Sequence, residues 1–182
     1  RIKSQEAYVD LTDNLIVMMN QYGWDDAFDI IIPSVVDSKR IQTPQGKIYD
    51  AFRMVKIRRG SVIPPLEGLK VPLKAGATDK TLIMFYESDC HNCITQLQEL
   101  KNSYARLKKS NIRVITISAD YDKAIFERES SHFPWVDKVC DYKGFTGVNF
   151  SGFGVLGTPT FYLLDKDLRL IKRFARLSDA GI

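Results

Sequence analysis

The sequence lacks a hydrophobic run long enough to cross a membrane, and it lacks a concentrated patch of positive charge. A spanning helix needs about 20 consecutive apolar residues, whereas the longest apolar runs here are Leu15–Met19 and Leu82–Tyr86. The net charge is only +4, and basic residues cluster no further than Lys56–Arg59 and Lys108–Lys109. We therefore expect no transmembrane segment in this chain, and no nucleic acid or anionic membrane as a partner.

Cysteine is also scarce, because the chain contains only three. That number is odd and too small for a disulfide scaffold, and 182 residues are enough to bury a core without disulfides or a structural metal. The chain begins at Arg1 and not at Met, so we expect any signal or lipid anchor to lie outside it. A hydrophobic content of 45% and a charged content of 26% are typical of a globular protein.

Residues 1–60 are predicted to form a helical N-terminal extension. Apolar residues recur with helical spacing up to Gly23, which should end a first helix. A second helix contains Pro33 and should therefore be short or kinked. A third is expected from about Pro44 to Arg59, stopped by Gly60. No motif that carries chemistry lies in this region.

Residues 61–182 are predicted to form an α/β domain. A proline- and glycine-rich connector is followed by alternating strand and helix patterns, which indicate a mixed β-sheet flanked by helices. The final helix of this domain is expected to be cut short at Ile182. The predicted helices are residues 90–108 and 121–131, and the predicted strands are Thr81–Glu87, Ile112–Ser118, Val136–Asp141, Thr160–Leu164 and Leu168–Phe174, the last two as an antiparallel hairpin.

Two of the cysteines, Cys90 and Cys93, lie three residues apart where the first buried strand gives way to a helix. This spacing is within disulfide reach, and we expect both sulfurs to face solvent at the helix N-terminus. The partial positive charge there favours the thiolate, the form that attacks disulfides. Cys90 is nearer the terminus and is predicted to be the nucleophile, with Cys93 as the resolving thiol.

Charged neighbours are expected to tune the ionisation of Cys90. His91, when protonated, favours the thiolate, whereas Asp89 and Glu87 act in the opposite direction. Asp89 or Ser88 is the expected N-cap of the helix. Which of these effects is larger stays open at this point, and so does the redox direction.

The cysteine pair also fits other kinds of site. A zinc site needs a second ligand pair at similar spacing, and the remaining candidates, Cys140 and His132, are far along the chain. We expect no metal and no cofactor. The alternatives to a redox dithiol are a metal carrier for copper, which would use Cys90, Cys93 and a histidine, and a binding module whose redox chemistry has lapsed. Cys140 is expected to be a small buried hydrophobe, with a third redox thiol as the alternative.

The segment from Gly152 to Gly157 satisfies G-x-G-x-x-G, the pattern of dinucleotide-binding loops. That fingerprint must open a helix, and here a proline and a strand follow. We expect these glycines to shape the loop that leads to Pro159.

Four segments of the chain carry a family resemblance: GSVIPPLEG, FYESDCHNC, IRVITISAD and FGVLGTPTFYLLDKD. They resemble the TlpA/ResA type of thioredoxin-like bacterial envelope thiol–disulfide oxidoreductase. The resemblance implies a thioredoxin-like fold for residues 61–182 and a cis-proline at Pro159 that faces the cysteines. It further implies that Pro159 and the Thr158 backbone bind the substrate polypeptide. The N-terminal helices resemble extensions found on such domains in Bacteroidetes-like bacteria.

The chain departs from that family pattern at four places. Asp89 replaces an aromatic residue before the first cysteine, and Asn92 replaces a proline before the second. Met84 occupies the position of a buried acid, and Gln96 that of a glutamate. Both cysteines of the family pattern are present in this chain, but the residues of the family's proton relay are not.

Taken together, the residues and the resemblance predict an enzyme that exchanges protein disulfides through its CxxC dithiol. Its expected partners are protein thiol or disulfide substrates and an upstream redox partner. The expected location is the bacterial periplasm or cell envelope.

Overall fold

The chain divides into two units, residues 1–58 and residues 59–182. The computed structural model describes residues 2–182. Among these residues, no helix is both long enough and apolar enough to cross a membrane. Each unit has a hydrophobic core of its own.

Three helices make up the first unit: α1 (Gln5–Tyr22), α2 (Asp25–Asp37) and α3 (Gly46–Met54). The Ser4 hydroxyl accepts the N–H of Ala7 at the start of α1. Gly23 ends α1 with φ 66°, a left-handed conformation that glycine adopts without steric cost. The predicted helical character and the first helix stop are thus confirmed. The apolar faces of the helices meet in a core of Ile16, Met19, Phe28, Ile32, Val35, Ile41, Ile48, Ala51 and Val55.

The second helix contains Pro33, as predicted, whereas the third ends earlier than predicted. α2 continues through Pro33 and is 13 residues long, although proline has no N–H to donate to the preceding turn. The prediction that α3 reaches Arg59 was wrong. Gly60 does not stop a helix, because its N–H donates to the Leu170 carbonyl at 2.7 Å. The backbone there is bonded to the edge strand of the second unit.

The second unit is built on a five-stranded sheet in the order β3-β2-β1-β4-β5. β1 pairs in parallel with β2 and antiparallel with β4, so the predicted mixed sheet is confirmed. The antiparallel β4–β5 hairpin is confirmed as well. The strands are β1 (Lys80–Tyr86), β2 (Ile112–Ser118), β3 (Asp137–Cys140), β4 (Thr160–Asp165) and β5 (Leu170–Phe174).

The central strand β1 is buried on both faces, which explains its continuous apolar sequence. On one face Leu82, Met84 and Tyr86 belong to a core that includes residues of α4 (His91–Lys109). On the other face the Phe85 ring lies 4.9 Å from the ring of Phe150, measured between centroids. Because β1 is fixed on both sides, the loop that follows it starts from a rigid position.

Two helical segments between β3 and β4 were not predicted. A 3₁₀ turn spans Gly144–Thr146, and a short helix, α6, spans Val148–Phe153. The glycine pattern that resembles a dinucleotide loop is part of this helix and its end, since Gly154 caps α6 with φ 69°. The glycines close a helix and do not open one, which is incompatible with a pyrophosphate site.

The helix α5 (Lys123–Ser130) has an N-cap whose removal gives a measurable prediction. The Asp122 carboxylate accepts the N–H groups of Ala124 and Ile125 at 2.7 and 3.2 Å. Asp122→Ala should lower the free energy of unfolding by about 1 kcal/mol in urea denaturation. Asp122→Asn, which keeps an oxygen acceptor, is the control and should stay close to the wild type. Equal losses in both variants would show that charge, and not the hydrogen bonds, stabilises this helix end.

Candidate active site

Cys90 lies at the junction between the β1–α4 loop and α4. It is the N-cap residue of α4, and its Sγ accepts the N–H of Cys93 at 3.3 Å. The prediction that Asp89 or Ser88 caps the helix was therefore wrong. A thiolate in this position receives a hydrogen bond from a helix N–H and faces the positive end of the helix dipole.

The two sulfurs differ in exposure, and the prediction that both face solvent was wrong. Cys90 is half-buried, whereas Cys93 has no exposed surface. Cys93 lies on the helix face that continues with Leu97 and Leu100 into the core. Helical periodicity therefore turns the second cysteine inward while the first stays at the surface.

Burial, and after it a hydrogen bond with the Cys90 side chain, raise the pKa of Cys93 to about 12. Hydrogen bonds with the Thr158 side chain and the Glu87 backbone act in the opposite direction. Cys93 is therefore a neutral thiol at physiological pH, and it needs a proton acceptor before it can act as a nucleophile.

The loop before β4 lies opposite the cysteines. The Thr158–Pro159 peptide bond is cis, and the Thr158 carbonyl oxygen lies 3.8 Å from Cys90 Sγ. Both residues are half-buried. The structure thus brings Cys90 and Thr158 together, although 68 positions separate them in the chain.

Asp89 and His91 flank Cys90 in sequence, and both are exposed. An exposed charge is screened by water and salt, so its effect on the neighbouring thiol is small and depends on ionic strength. Glu87, in contrast, is half-buried, and its Oε2 accepts the hydroxyl proton of Thr158 at 2.6 Å. From the sequence alone Glu87 was only an opposing anion, and nothing in the pattern indicated its bond to Thr158.

The β1–α4 loop is held by a residue that sequence reasoning missed, Asp120. One Asp120 oxygen accepts the N–H of Ser88 at 3.0 Å and the other accepts its hydroxyl at 2.6 Å. Asp120 follows β2, and the parallel register places Tyr86 opposite Ser118. Since parallel neighbours end at the same sheet edge, an acid after β2 was the signal that could have found it.

Cys140 belongs to the same sheet edge. Its Sγ donates to the Asp120 carbonyl at 3.2 Å, and burial raises the pKa of this thiol. A protonated, hydrogen-bonded thiol is unreactive. The half-buried position and the bond to Asp120 fit a structural side chain.

The residues that replace the relay acids of the TlpA/ResA pattern are both structural. Met84 is fully buried in the core. The Gln96 side-chain oxygen accepts the N–H of Leu177 at 2.6 Å. Neither side chain can take up a proton from a thiol.

Within residues 2–182, the structure brings together no group of three His, Cys, Asp or Glu side chains that could hold a metal ion. Cys90, Cys93 and Cys140 are all free thiols.

Comparison with known proteins agrees with this geometry. The profile of the AhpC/TSA family matches residues 61–177, which is more than half of the chain. The chain belongs to the AhpC/TSA family. Two related Bacillus proteins, the thiol-disulfide oxidoreductase ResA of Bacillus thuringiensis subsp. konkukian and that of Bacillus cereus, are each 25% identical to it over 111 residues. The match covers 61% of this chain and 63% of each relative, so the chain spans less than two thirds of the length of these curated relatives.

Solved structures show the thioredoxin-like fold of this AhpC/TSA family member. A thiol-disulfide oxidoreductase from Bacteroides fragilis is 23% identical, with a TM-score of 0.57, and the match covers 66% of this chain and 96% of that one. The thioredoxin domain of a thiol-disulfide oxidoreductase from Bacteroides vulgatus is 21% identical, with a TM-score of 0.57, and the match covers 68% and 93%. The predicted thioredoxin-like fold class is thus confirmed.

Proposed function

We propose that this chain is a thiol–disulfide oxidoreductase that exchanges protein disulfides through Cys90 and Cys93. The observation that supports it most is the position of Cys90, a half-buried thiol at a helix N-terminus, 3.3 Å from the Cys93 N–H and 3.8 Å from the Thr158 carbonyl. Family membership supports the same chemistry. Cys90 is the nucleophile in this proposal, because Cys93 has no exposed surface.

In the reducing direction, the Cys90 thiolate attacks one sulfur of a substrate disulfide. That disulfide bond breaks, and its other sulfur leaves as a thiolate that takes up a proton. Cys93, after losing its proton, attacks Cys90 Sγ, which releases the second substrate sulfur and forms the Cys90–Cys93 disulfide. Two electrons pass from the dithiol to the substrate, and a dithiol of an upstream redox partner restores the pair. The oxidising direction is the same sequence reversed.

Thr158 and Pro159 are proposed to bind the substrate polypeptide beside Cys90. The support is their half-burial and the proximity of the Thr158 carbonyl to the sulfur. A backbone carbonyl at that place can accept an N–H of an extended substrate peptide, which aligns a substrate sulfur with Cys90. Such a bond involves only the main chain of the substrate and does not depend on its side chains. The substrates would thus be proteins of varied sequence.

Asp89 and His91 are proposed to adjust the reduction potential of the pair. A protonated His91 stabilises the thiolate and so the reduced form, which raises the potential, and Asp89 lowers it. Both side chains are exposed, so these opposing effects should weaken as ionic strength rises.

We also propose a location in the bacterial periplasm or cell envelope, with residues 1–60 as a helical extension of the redox domain. The support is the resemblance to TlpA/ResA-type envelope proteins, together with relatives that carry the name ResA. Fractionation of cells that express the natural gene tests the location.

The proposed function is tested by trapping the mixed disulfide. In a Cys93→Ser variant the resolving sulfur is missing, so Cys90 should remain covalently bound to a substrate peptide that carries a disulfide. The adduct should show in mass spectrometry under non-reducing conditions and disappear with dithiothreitol. Cys140→Ser in the same background is the control and should trap equally well. An unreactive Cys90 at neutral pH, with the fold intact, would refute the proposal.

A further inference from the structure

The main-chain bond proposed at Thr158 does not distinguish one substrate side chain from another. Any sequence preference of the site must therefore come from the side chains around Cys90. Acidic residues are frequent at this edge of the sheet, within four positions of the last residues of β1, β2 and β3. They are Glu87, Asp89, Asp120, Asp122 and Asp141.

Four of these carboxylates are engaged in hydrogen bonds with the protein itself: Glu87, Asp120, Asp122 and Asp141. Asp141, for example, accepts the N–H groups of Lys143 and Val148, each at 3.1 Å. Asp89 is different, because its side chain is exposed and forms no hydrogen bond or ion pair within residues 2–182. Its carboxylate is thus available to a binding partner.

The backbone on both sides of Asp89 is held in place. Ser88 donates its N–H and its hydroxyl to Asp120, at 3.0 and 2.6 Å. The N–H of Cys90 donates to the Glu87 carbonyl at 3.4 Å, and Cys90 Sγ caps α4. The Asp89 carboxylate therefore stays within one side-chain length of a fixed point beside the nucleophilic sulfur.

The cations of this edge are few. His91 is the basic residue nearest to Cys90 in sequence, and its side chain is exposed. Lys143 follows β3, which is separated from β1 by β2. At a strand spacing near 4.8 Å this places Lys143 about 10 Å or more from the β1 end, which is about one Debye length at physiological ionic strength. Lys123 forms an ion pair with Glu127 at 3.6 Å.

We propose that Asp89 is a specificity-determining residue that selects substrate disulfides flanked by lysine or arginine. This inference rests on the proposed oxidoreductase function. When Cys90 bonds to a substrate sulfur, the residues next to the substrate cysteine lie only about 4–7 Å along the chain from it. A lysine or arginine there can pair with the Asp89 carboxylate, whereas a glutamate is repelled.

The expected preference is modest, because ion pairs between exposed groups are weak. One such pair changes a rate constant by about 2–5-fold at most. The covalent steps are those already described, so Asp89 changes only how well the substrate is held during the first attack. It thereby adds a charge preference to the sequence-independent main-chain bond at Thr158.

The test uses two symmetrical disulfide dimers of short peptides, with each cysteine flanked on both sides by lysine or on both sides by glutamate. A rapid-mixing assay measures how fast each dimer oxidises the reduced protein. The lysine-to-glutamate rate ratio of the wild type is divided by that of Asp89→Asn. The intrinsic reactivity of the peptides and any change in Cys90 itself then cancel. The quotient should be about 5 at low ionic strength and approach 1 at about 0.5 M salt.

Three variants serve as controls. Asp89→Lys should reverse the preference, so that its ratio falls about fivefold below that of Asp89→Asn. Glu99→Lys makes the same charge change on the exposed face of α4, about 13 Å along the helix from Cys90, and should keep the wild-type ratio. His91→Gln should also keep the lysine preference. Loss of the preference in His91→Gln would assign it to His91 and overturn the proposal.

The remaining outcomes separate this proposal from the proposed function. Equal ratios in the wild type and in Asp89→Asn would overturn the selectivity but leave the oxidoreductase proposal intact. Failure of the wild type to react with either dimer would overturn the proposed function itself. Circular dichroism of the Asp89 variants should match the wild type, because the replaced side chain is exposed.

Discussion

Replacing Cys90 with serine should abolish disulfide exchange, with turnover falling by on the order of 10³-fold or more. A serine hydroxyl stays protonated at neutral pH and does not attack a disulfide, so the first covalent bond cannot form. The fold should tolerate the change, because Cys90 is the N-cap of α4 and its Sγ accepts the Cys93 N–H. Serine is a favourable N-cap residue and can accept the same bond. Reduction of a disulfide dye gives the rate, and thermal melting reports the stability.

The matched control for that experiment is Cys140→Ser, which removes the third thiol. Serine can keep the bond that Cys140 donates to the Asp120 carbonyl, so turnover should remain within about twofold of the wild type. Comparable losses in the two variants would mean that Cys140 takes part in electron transfer, and the two-thiol scheme would be contradicted. Retained turnover in Cys90→Ser would show that the nucleophile is misassigned.

Phe85→Ala should have the largest effect on stability, with the free energy of unfolding lowered by about 3–5 kcal/mol. Phe85 is fully buried on the central strand, and its ring lies 4.9, 5.3 and 5.7 Å from the rings of Phe150, Phe153 and Tyr162. Removing it leaves a cavity among aromatic groups and weakens the contact between β1 and α6. Because a typical domain is stable by only about 5–15 kcal/mol, the melting temperature should fall by roughly 10 °C.

Val148→Ala is the matched control for this cavity, since Val148 is in α6 but 53% exposed. Its effect should stay within about 0.5 kcal/mol. Urea denaturation of both variants measures the difference. A loss below about 1 kcal/mol in Phe85→Ala would show that α6 closes over the vacated space, so that the aromatic cluster is not a fixed support for β1.

The fold of residues 61–182 was predictable because its strands carry strong local signals. β2 was predicted with its observed bounds, Ile112–Ser118, since a strand buried on both faces has a continuous apolar sequence between polar ends. α6 was missed because it has only six residues, with Gly152 inside its last turn and Gly154 directly after it. Short helices depend on tertiary packing more than on propensity. The predicted end of α3 relied on Gly60 as a helix stop, but the helix ends at Met54. The N–H of Gly60 donates instead to the Leu170 carbonyl, a partner that no local pattern reveals.

The cysteine pair and its place at a helix N-terminus were determined by the sequence, because spacing and periodicity are local properties. The tertiary structure decided which sulfur is accessible, since only packing of α4 on the sheet buries Cys93. It also decided which groups surround the sulfurs. Thr158 and Glu87 are 71 positions apart, and side chains so distant in the chain meet only because β1 and β4 are neighbours in the sheet.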